Sequence, residues 1–276
     1  MGNIVAEGIS KISKSSVELK PDILLLNFKI TALCIIGDPA NGNKEWVLVD
    51  TGMENSADYI IKKAKERFGE NNPPKSIILT HGHFDHVGSI FKLLKMWDVS
   101  IYAHTLEMPY ITGKKDYPEG DPRVGAGMVA LISPTFPNKS IDLCKSVLEL
   151  PADGSVPGMP EWEWIHTPWH TEGRVCLYRQ KDGVIIAGDA LTTLKQESLK
   201  SVITMNEEIK GPPAYLTKDW EAAKKSIIKI RDLNPSLLIP SHGNPLEGQE
   251  LKDQLNNLIR DFEEISVPKR GKFIEK

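Results

Sequence analysis

The chain has 276 residues, 40% of them hydrophobic and 26% charged, with a formal net charge of −3. These are the proportions of a globular protein with room for one large domain or two small ones. The charge balance argues against a dedicated nucleic-acid binder, whose footprint would be a strongly basic face. The amino terminus shows no apolar signal core, and Ala6 stands where a myristoylation pattern needs Ser or Thr. The longest apolar region, Ile23 to Ile36, is broken by Asn27, Lys29 and Thr31, so no membrane span is expected. Three cysteines, Cys34, Cys144 and Cys176, form no zinc-knuckle or redox motif. The expectation is therefore a protein of the reducing cytoplasm.

In chain order, the pattern predicts strands over 23–36 and 44–50, then a charged amphipathic helix over 55–68. Asn71-Asn72-Pro73-Pro74 marks a turn. Ser76 to Thr80 is β-branched and apolar, which reads as a buried strand. Residues 81–86 then read His-Gly-His-Phe-Asp-His, three of the seven histidines of the chain. His81, His83 and Asp85 are spaced by two, which in an extended segment or tight loop aims side chains the same way. Ser89 to Trp97 reads as a helix, so the cluster falls in a strand-to-helix loop, where binding sites are commonly built. One loop histidine is ordinarily solvated or a cap. Three with an aspartate have the chemistry of a metal site. A helical zinc-protease motif is excluded, because that pattern needs His-Glu-x-x-His and Gly82 interrupts here.

A strand over 99–103 and a helix over 105–112 follow, with His104 as the cap between them. From Gly113 to Pro160 prolines and glycines are frequent, with one helical stretch near 123–132. We read residues 113–160 as an insertion that, with Trp162, Trp164 and Trp169, covers the site as a lid; a peripheral decoration is the plain alternative. Strands near 147–150, 162–167, 174–179 and 184–188, a helix over 218–232, a strand over 236–239 and a helix over 247–265 complete the chain. Periodicity alone leaves α/β and α+β open.

Five segments, in order, resemble the metallo-β-lactamase superfamily of hydrolases. They are Val47-Leu48-Val49-Asp50-Thr51-Gly52, the H-x-H-x-D-H signature within Thr80 to Gly88, Thr167-Pro168-Trp169-His170-Thr171-Glu172-Gly173, Ile185-Ile186-Ala187-Gly188-Asp189, and Ile239-Pro240-Ser241-His242-Gly243. The resemblance covers about residues 23 to 245. It implies a single domain over residues 1–276 with an α+β fold, a four-layer αβ/βα sandwich of two mixed sheets flanked by helices. It also implies a ligand set. His81, His83 and His170 hold one metal, Asp85, His86 and His242 hold a second, and Asp189 bridges them. Zinc suits these donors, with manganese and iron open. Asp85 and Asp189 are then catalytic as well as ligating, since a hydroxide shared by the metals is the nucleophile.

The implied activity is hydrolysis of a small-molecule ester, thioester or lactone, in a branch like glyoxalase II or the lactonases. Two divalent ions against two carboxylates and a hydroxide leave a small positive charge, which favours anionic substrates. The alternatives are a mononuclear iron oxidoreductase like the persulfide dioxygenases, and a metallo-nuclease or phosphodiesterase. The complete ligand set argues against the first, and the length of the chain against the second.

Three further residues carry two readings each. Asp50 is an Asx turn or cap, or an acceptor that orients a ligand histidine. Tyr215, on a loop after Asp189, packs that loop or points its phenol at substrate. Trp169 departs from the family, which usually has glycine before this histidine; its ring packs under the insertion or walls the pocket. His166 reads as structural and Cys176 as small core packing.

Overall fold

The computed structural model describes residues 14–42, 45–125, 127–193 and 209–274. The chain divides into two compact units. Described residues of the first fall within Ile4–Tyr117 and Lys139–Pro160, and those of the second within Pro118–Asn138 and Glu161–Lys276.

The first unit is built on a seven-stranded mixed sheet in the order β1 to β7. Strands β1 (Ser15–Lys20), β2 (Ile23–Asn27), β3 (Ala32–Ile36) and β4 (Val47–Val49) pair antiparallel. Strands β5 (Ser76–Ile78), β6 (Ile101–Ala103) and β7 (Val147–Glu149) continue from β4 in parallel. The single strand expected over 23–36 is a hairpin. Asn27 Oδ1 accepts from the Lys29 amide at 2.7 Å, and Lys29 adopts φ +70°, which turns the chain back. Strand β1 escapes the hydrophobic pattern because it lies at the sheet edge and is largely exposed.

The Ala57–Phe68 helix buries Ala57, Ile60, Ala64 and Phe68, one stripe at three- and four-residue spacing. Phe68 stacks on Trp46 with ring centroids 5.3 Å apart. Burial of each large side chain in this stripe contributes about 1.5–3 kcal/mol. The helix expected over 89–97 is shorter, Ile90–Leu94, and a separate one-turn helix, Phe84–Val87, precedes it.

The second unit carries a five-stranded mixed sheet in the order β12-β11-β10-β9-β8. Its strands are β8 (Glu163–His166), β9 (Val175–Arg179), β10 (Val184–Gly188), β11 (Leu237–Pro240) and β12 (Leu246–Glu247). Only β10 and β11 are parallel. The helices Trp220–Asp232 and Gly248–Arg260 pack on this sheet through Ala223, Ile227 and Ile230, and through Leu251, Leu255 and Leu258. The helix expected over 247–265 breaks at Asp261, and a short helix, Phe262–Ile265, follows.

Residues 113–160 are shared between the units. Pro118–Asn138 belongs to the second unit, whereas Lys139–Pro160 belongs to the first and supplies β7. Among the described residues, no helix is long and apolar enough to cross a membrane.

Candidate metal centre

In the first unit, β5 delivers the chain to Thr80, His81, Gly82 and His83 in irregular backbone. Asp85 and His86 then lie in the one-turn Phe84–Val87 helix, with His83 as its extended N-cap residue. The alternation expected from His81 to Asp85 therefore ends at His83. Helical curvature, not extended spacing, turns His86 back towards His81, with Asp85 beside His86. The ring centroids of His81 lie 4.8 Å from those of His83 and 4.0 Å from those of His86. His86 Nε2 is 3.8 Å from Asp85 Oδ2. All four side chains are buried, His81 and His86 completely.

The Asp50-Thr51-Gly52 turn fixes this cluster. Asp50 sits at φ +63° and Gly52 at φ +65°, a left-handed turn that Asp tolerates and glycine favours. Thr51 donates from both its amide and its hydroxyl to the His86 carbonyl, at 2.7 and 2.8 Å. The Asp50 carboxylate accepts from the Thr80 amide at 2.8 Å, from the Thr80 hydroxyl at 2.8 Å and from His86 Nδ1 at 2.9 Å. With its proton on Nδ1, His86 presents Nε2 as the ligand atom. The Thr80 hydroxyl lies 3.2 Å from His81 Nδ1. Since that hydroxyl gives its proton to Asp50, the network assigns the His81 proton to Nδ1 as well. One buried carboxylate thus orients two imidazoles.

A second clamp holds Gly82. Glu107 is fully buried; its Oε1 accepts from the Gly82 amide at 3.0 Å and from the Tyr117 hydroxyl. Burial, and then the Glu107 charge, push the Tyr117 phenol well above its ordinary range, so it remains a donor. The Tyr117 ring lies 4.5 Å from the His83 ring. A Cβ on residue 82 would overlap the Tyr117 oxygen and the Ile111 methyl, so this close approach requires glycine. Sequence reading missed both residues; nothing local to Glu107 or Tyr117 signals a partner so far along the chain. Burial, and then Asp50, push the Cys34 thiol up, and burial raises that of Cys176, so neither offers a ready thiolate.

In the second unit, the ends of β8, β10 and β11 each lead to a candidate ligand. At the end of β10, Gly188 at φ +54° turns the chain and Asp189 follows. After β11, His242 stands beside Gly243 at φ +110°, where any Cβ would strike Thr193 Oγ1. The His242 carbonyl accepts from the Thr193 amide at 3.1 Å. His242 Nε2 lies 3.3 Å from Asp189 Oδ1. After β8, His170 is reached through Thr167, Pro168 and Trp169. The Trp169 ring is buried edge-on against the His170 ring, centroids 3.9 Å apart.

Trp169 also faces the Arg174 guanidinium, 5.4 Å from ring centroid to guanidinium carbon. Arg174 is fully buried. Its Nε and Nη2 donate to the Thr167 carbonyl and hydroxyl at 3.1 and 2.9 Å, and Nη1 donates to the Ala187 carbonyl at 2.8 Å.

The other predicted residues fall nearby in sequence but do different things. His166 Nε2 donates to the Glu172 carbonyl at 2.7 Å. His104 caps the short helix after it, accepting from the Leu106 amide at 3.3 Å. Tyr215 is buried, its ring 5.9 Å from Phe136 and its carbonyl bonded by the Asp121 amide. Trp162 is buried under Arg179, whereas Trp164 is half-buried.

A family model described as "Metallo-beta-lactamase superfamily" matches residues 36–242. "Probable metallo-hydrolase YflN" of Bacillus subtilis (strain 168) is 48% identical over 220 residues, 80% of this chain and 83% of that protein. "Probable metallo-hydrolase YybB" of the same organism is 29% identical over 199 residues, 72% of this chain and 76% of that protein. Among solved structures, the BLEG-1 B3 metallo-β-lactamase superposes with a TM-score of 0.57 at 23% identity, covering 88% of this chain and 98% of that one. A structure described as "Peroxy diiron species of chemotaxis sensor ODP" gives 0.58 at 16% identity, covering 90% and 94%. At these identities the likeness to solved structures is one of fold, two mixed sheets with flanking helices in an α+β sandwich. The profile match across 36–242, with the extended YflN alignment, establishes that this chain belongs to the metallo-β-lactamase superfamily.

Proposed function

We propose that the protein is a metal-dependent hydrolase of a small-molecule ester, thioester or lactone. In this reading His81, His83 and His170 hold one metal ion, Asp85, His86 and His242 hold a second, and Asp189 bridges the pair. The two units are then halves of one catalytic domain, since the family match runs through both. The observation that carries the reading is the donor set. Five imidazoles and two carboxylates, in segments that follow strands, are all buried, where side chains of this polarity need strong partners. Neutral imidazole nitrogen and carboxylate oxygen suit zinc, and no thiolate is at hand to select a softer ion.

When bound, a metal pair supplies Lewis acidity that activates a water and polarises the substrate oxygen. The chain does the rest. Asp50 keeps the Nδ1 protons on His86 and, through Thr80, on His81, which directs each Nε2 to a metal and raises its basicity. Glu107 and Tyr117 hold Gly82 between the two histidines, and the Tyr117 ring shields the His83 imidazole from water. No serine or cysteine nucleophile is required. The ligand shell alone, two divalent ions against two carboxylates and a hydroxide, would carry a small positive charge that favours an anionic substrate group, although the buried Asp50 and Glu107 carboxylates behind it reduce that preference.

The test is elemental analysis of protein reconstituted with zinc, followed by a panel of esters, thioesters and lactones. We expect about two ions per chain and turnover of one of these classes. One ion or none in folded protein removes the dinuclear reading. Two ions with no turnover across the panel remove the substrate classes.

A further inference from the structure

Arg174 is an unusual residue to find at zero exposure between two ligand-bearing segments. Taking a guanidinium out of water costs several kcal/mol unless its donors are well matched. Here they are matched mainly to two segments of the chain, with Cys176 Sγ a further acceptor 3.6 Å from Nη2. Thr167, which takes Nε and Nη2, begins the turn that carries His170. Ala187, which takes Nη1, lies two residues before Asp189 at the end of β10. The Thr167 amide returns a bond to the Arg174 carbonyl at 3.0 Å, so the turn is gripped by side chain and backbone together. The same guanidinium lies over the Trp169 ring, which packs perpendicular to the His170 imidazole. The bulky Trp169 thus fills the space between a buried cation and a candidate ligand.

We propose that Arg174 is a positioning residue of the metal centre. It ties the His170 turn to the Asp189 strand end and, through Trp169, sets the orientation of the His170 ring. This rests on the assignment of His170 and Asp189 as ligands. A lysine could not replace it: a single ammonium lacks the planar fork that reaches Thr167 and Ala187 at once.

The test measures zinc affinity of the full chain by competition with a zinc-binding dye. The variants are Arg174→Met and Arg174→Lys, with two controls. Arg179→Met removes an almost equally buried arginine whose guanidinium is engaged by Asp182 and lies over Trp162. His170→Ala removes the ligand itself. We expect both Arg174 variants to lose about 10–100-fold in zinc affinity, the usual range for a residue that orients a ligand. Arg179→Met should lose thermal stability but keep the parent affinity. Should the Arg174 variants fail to fold, Thr167→Val deletes the hydroxyl acceptor of Nη2, and zinc binding should weaken about threefold.

Parent affinity in a folded Arg174 variant, while His170→Ala loses it, overturns the role of Arg174 alone. So does an equal loss in Arg179→Met, or an unchanged Thr167→Val where that variant carries the test. Parent affinity in His170→Ala overturns the ligand assignment, and this proposal with it.

Discussion

Replacing Asp50 by Asn isolates what the buried carboxylate does, because shape and backbone are kept. Asp50 sits at φ +63°, a conformation Asn adopts readily, so no backbone strain is added. The amide oxygen can still accept from the Thr80 amide, now bonded at 2.8 Å. The other carboxylate oxygen accepts from both His86 Nδ1 and the Thr80 hydroxyl, and there Asn presents an NH2 group. The Thr80 hydroxyl can rotate to accept from that group, but the His86 Nδ1 proton meets another donor and must move to Nε2, the atom a metal ion needs, for the contact to survive as a neutral bond. One charge-assisted bond is lost, worth about 1.5–3 kcal/mol. Asp50→Ala should cost about 1–2 kcal/mol more, because a left-handed backbone then loses the side chain that tolerates it. Guanidinium denaturation of metal-free protein measures these terms as shifts in midpoint at constant slope. Zinc competition on the same samples should show about 10–100-fold weaker binding for Asp50→Asn. A metal-free stability within about 0.5 kcal/mol of the parent would refute the bond accounting. Parent zinc affinity would reduce Asp50 to a turn residue.

Asp189→Asn should leave secondary structure intact but lower metal content and cut turnover by orders of magnitude; full metal with unchanged turnover would reject the bridge. Gly82→Ala should destabilise the protein by about 1–3 kcal/mol through overpacking on Tyr117 and Ile111, read as a lower melting temperature, and an unchanged melting temperature would reject the close packing. The Asp121 clasp should be acid-labile. Burial alone would raise that carboxyl, but the Arg123 guanidinium and the Lys272 and Arg123 amides hold it at about 2, below the ordinary 3.8. Its folded-state pKa is depressed, so its stabilisation is whole above pH 3.8 and is lost as pH falls towards about 2. The stability gap between parent and Asp121→Asn should therefore close over that window, and a constant gap down to about pH 2 would refute the clasp.

The sequence exposes those parts of the centre whose geometry is local. His81, His83, Asp85 and His86 lie so close along the chain that almost any compact backbone gathers their side chains. A β-branched run before them and a turn motif at Asp50 announce where they sit. Chain separation removes that advantage for His170, Asp189 and His242, which only the order of family motifs picks out. Element ends are blurred for a similar reason. The apolar run from Ile23 to Ile36 reads as one strand although Asn27, Lys29 and Thr31 interrupt it at the turn, because hydrophobicity is alike on both arms of a buried hairpin.

What tertiary structure alone decides is which neutral or charged residue serves as a support. Glu107 reaches Gly82 across 25 residues, and Arg174 reaches Ala187 across 13. Neither stands in a pattern that singles it out, since a lone Glu in a helical stretch or an Arg before a strand is ordinarily solvent-facing. Their roles come from burial. Once packing excludes water, a carboxylate or guanidinium must find partners in the protein, and the backbone within reach is set by how the strands are stacked rather than by their order in the chain.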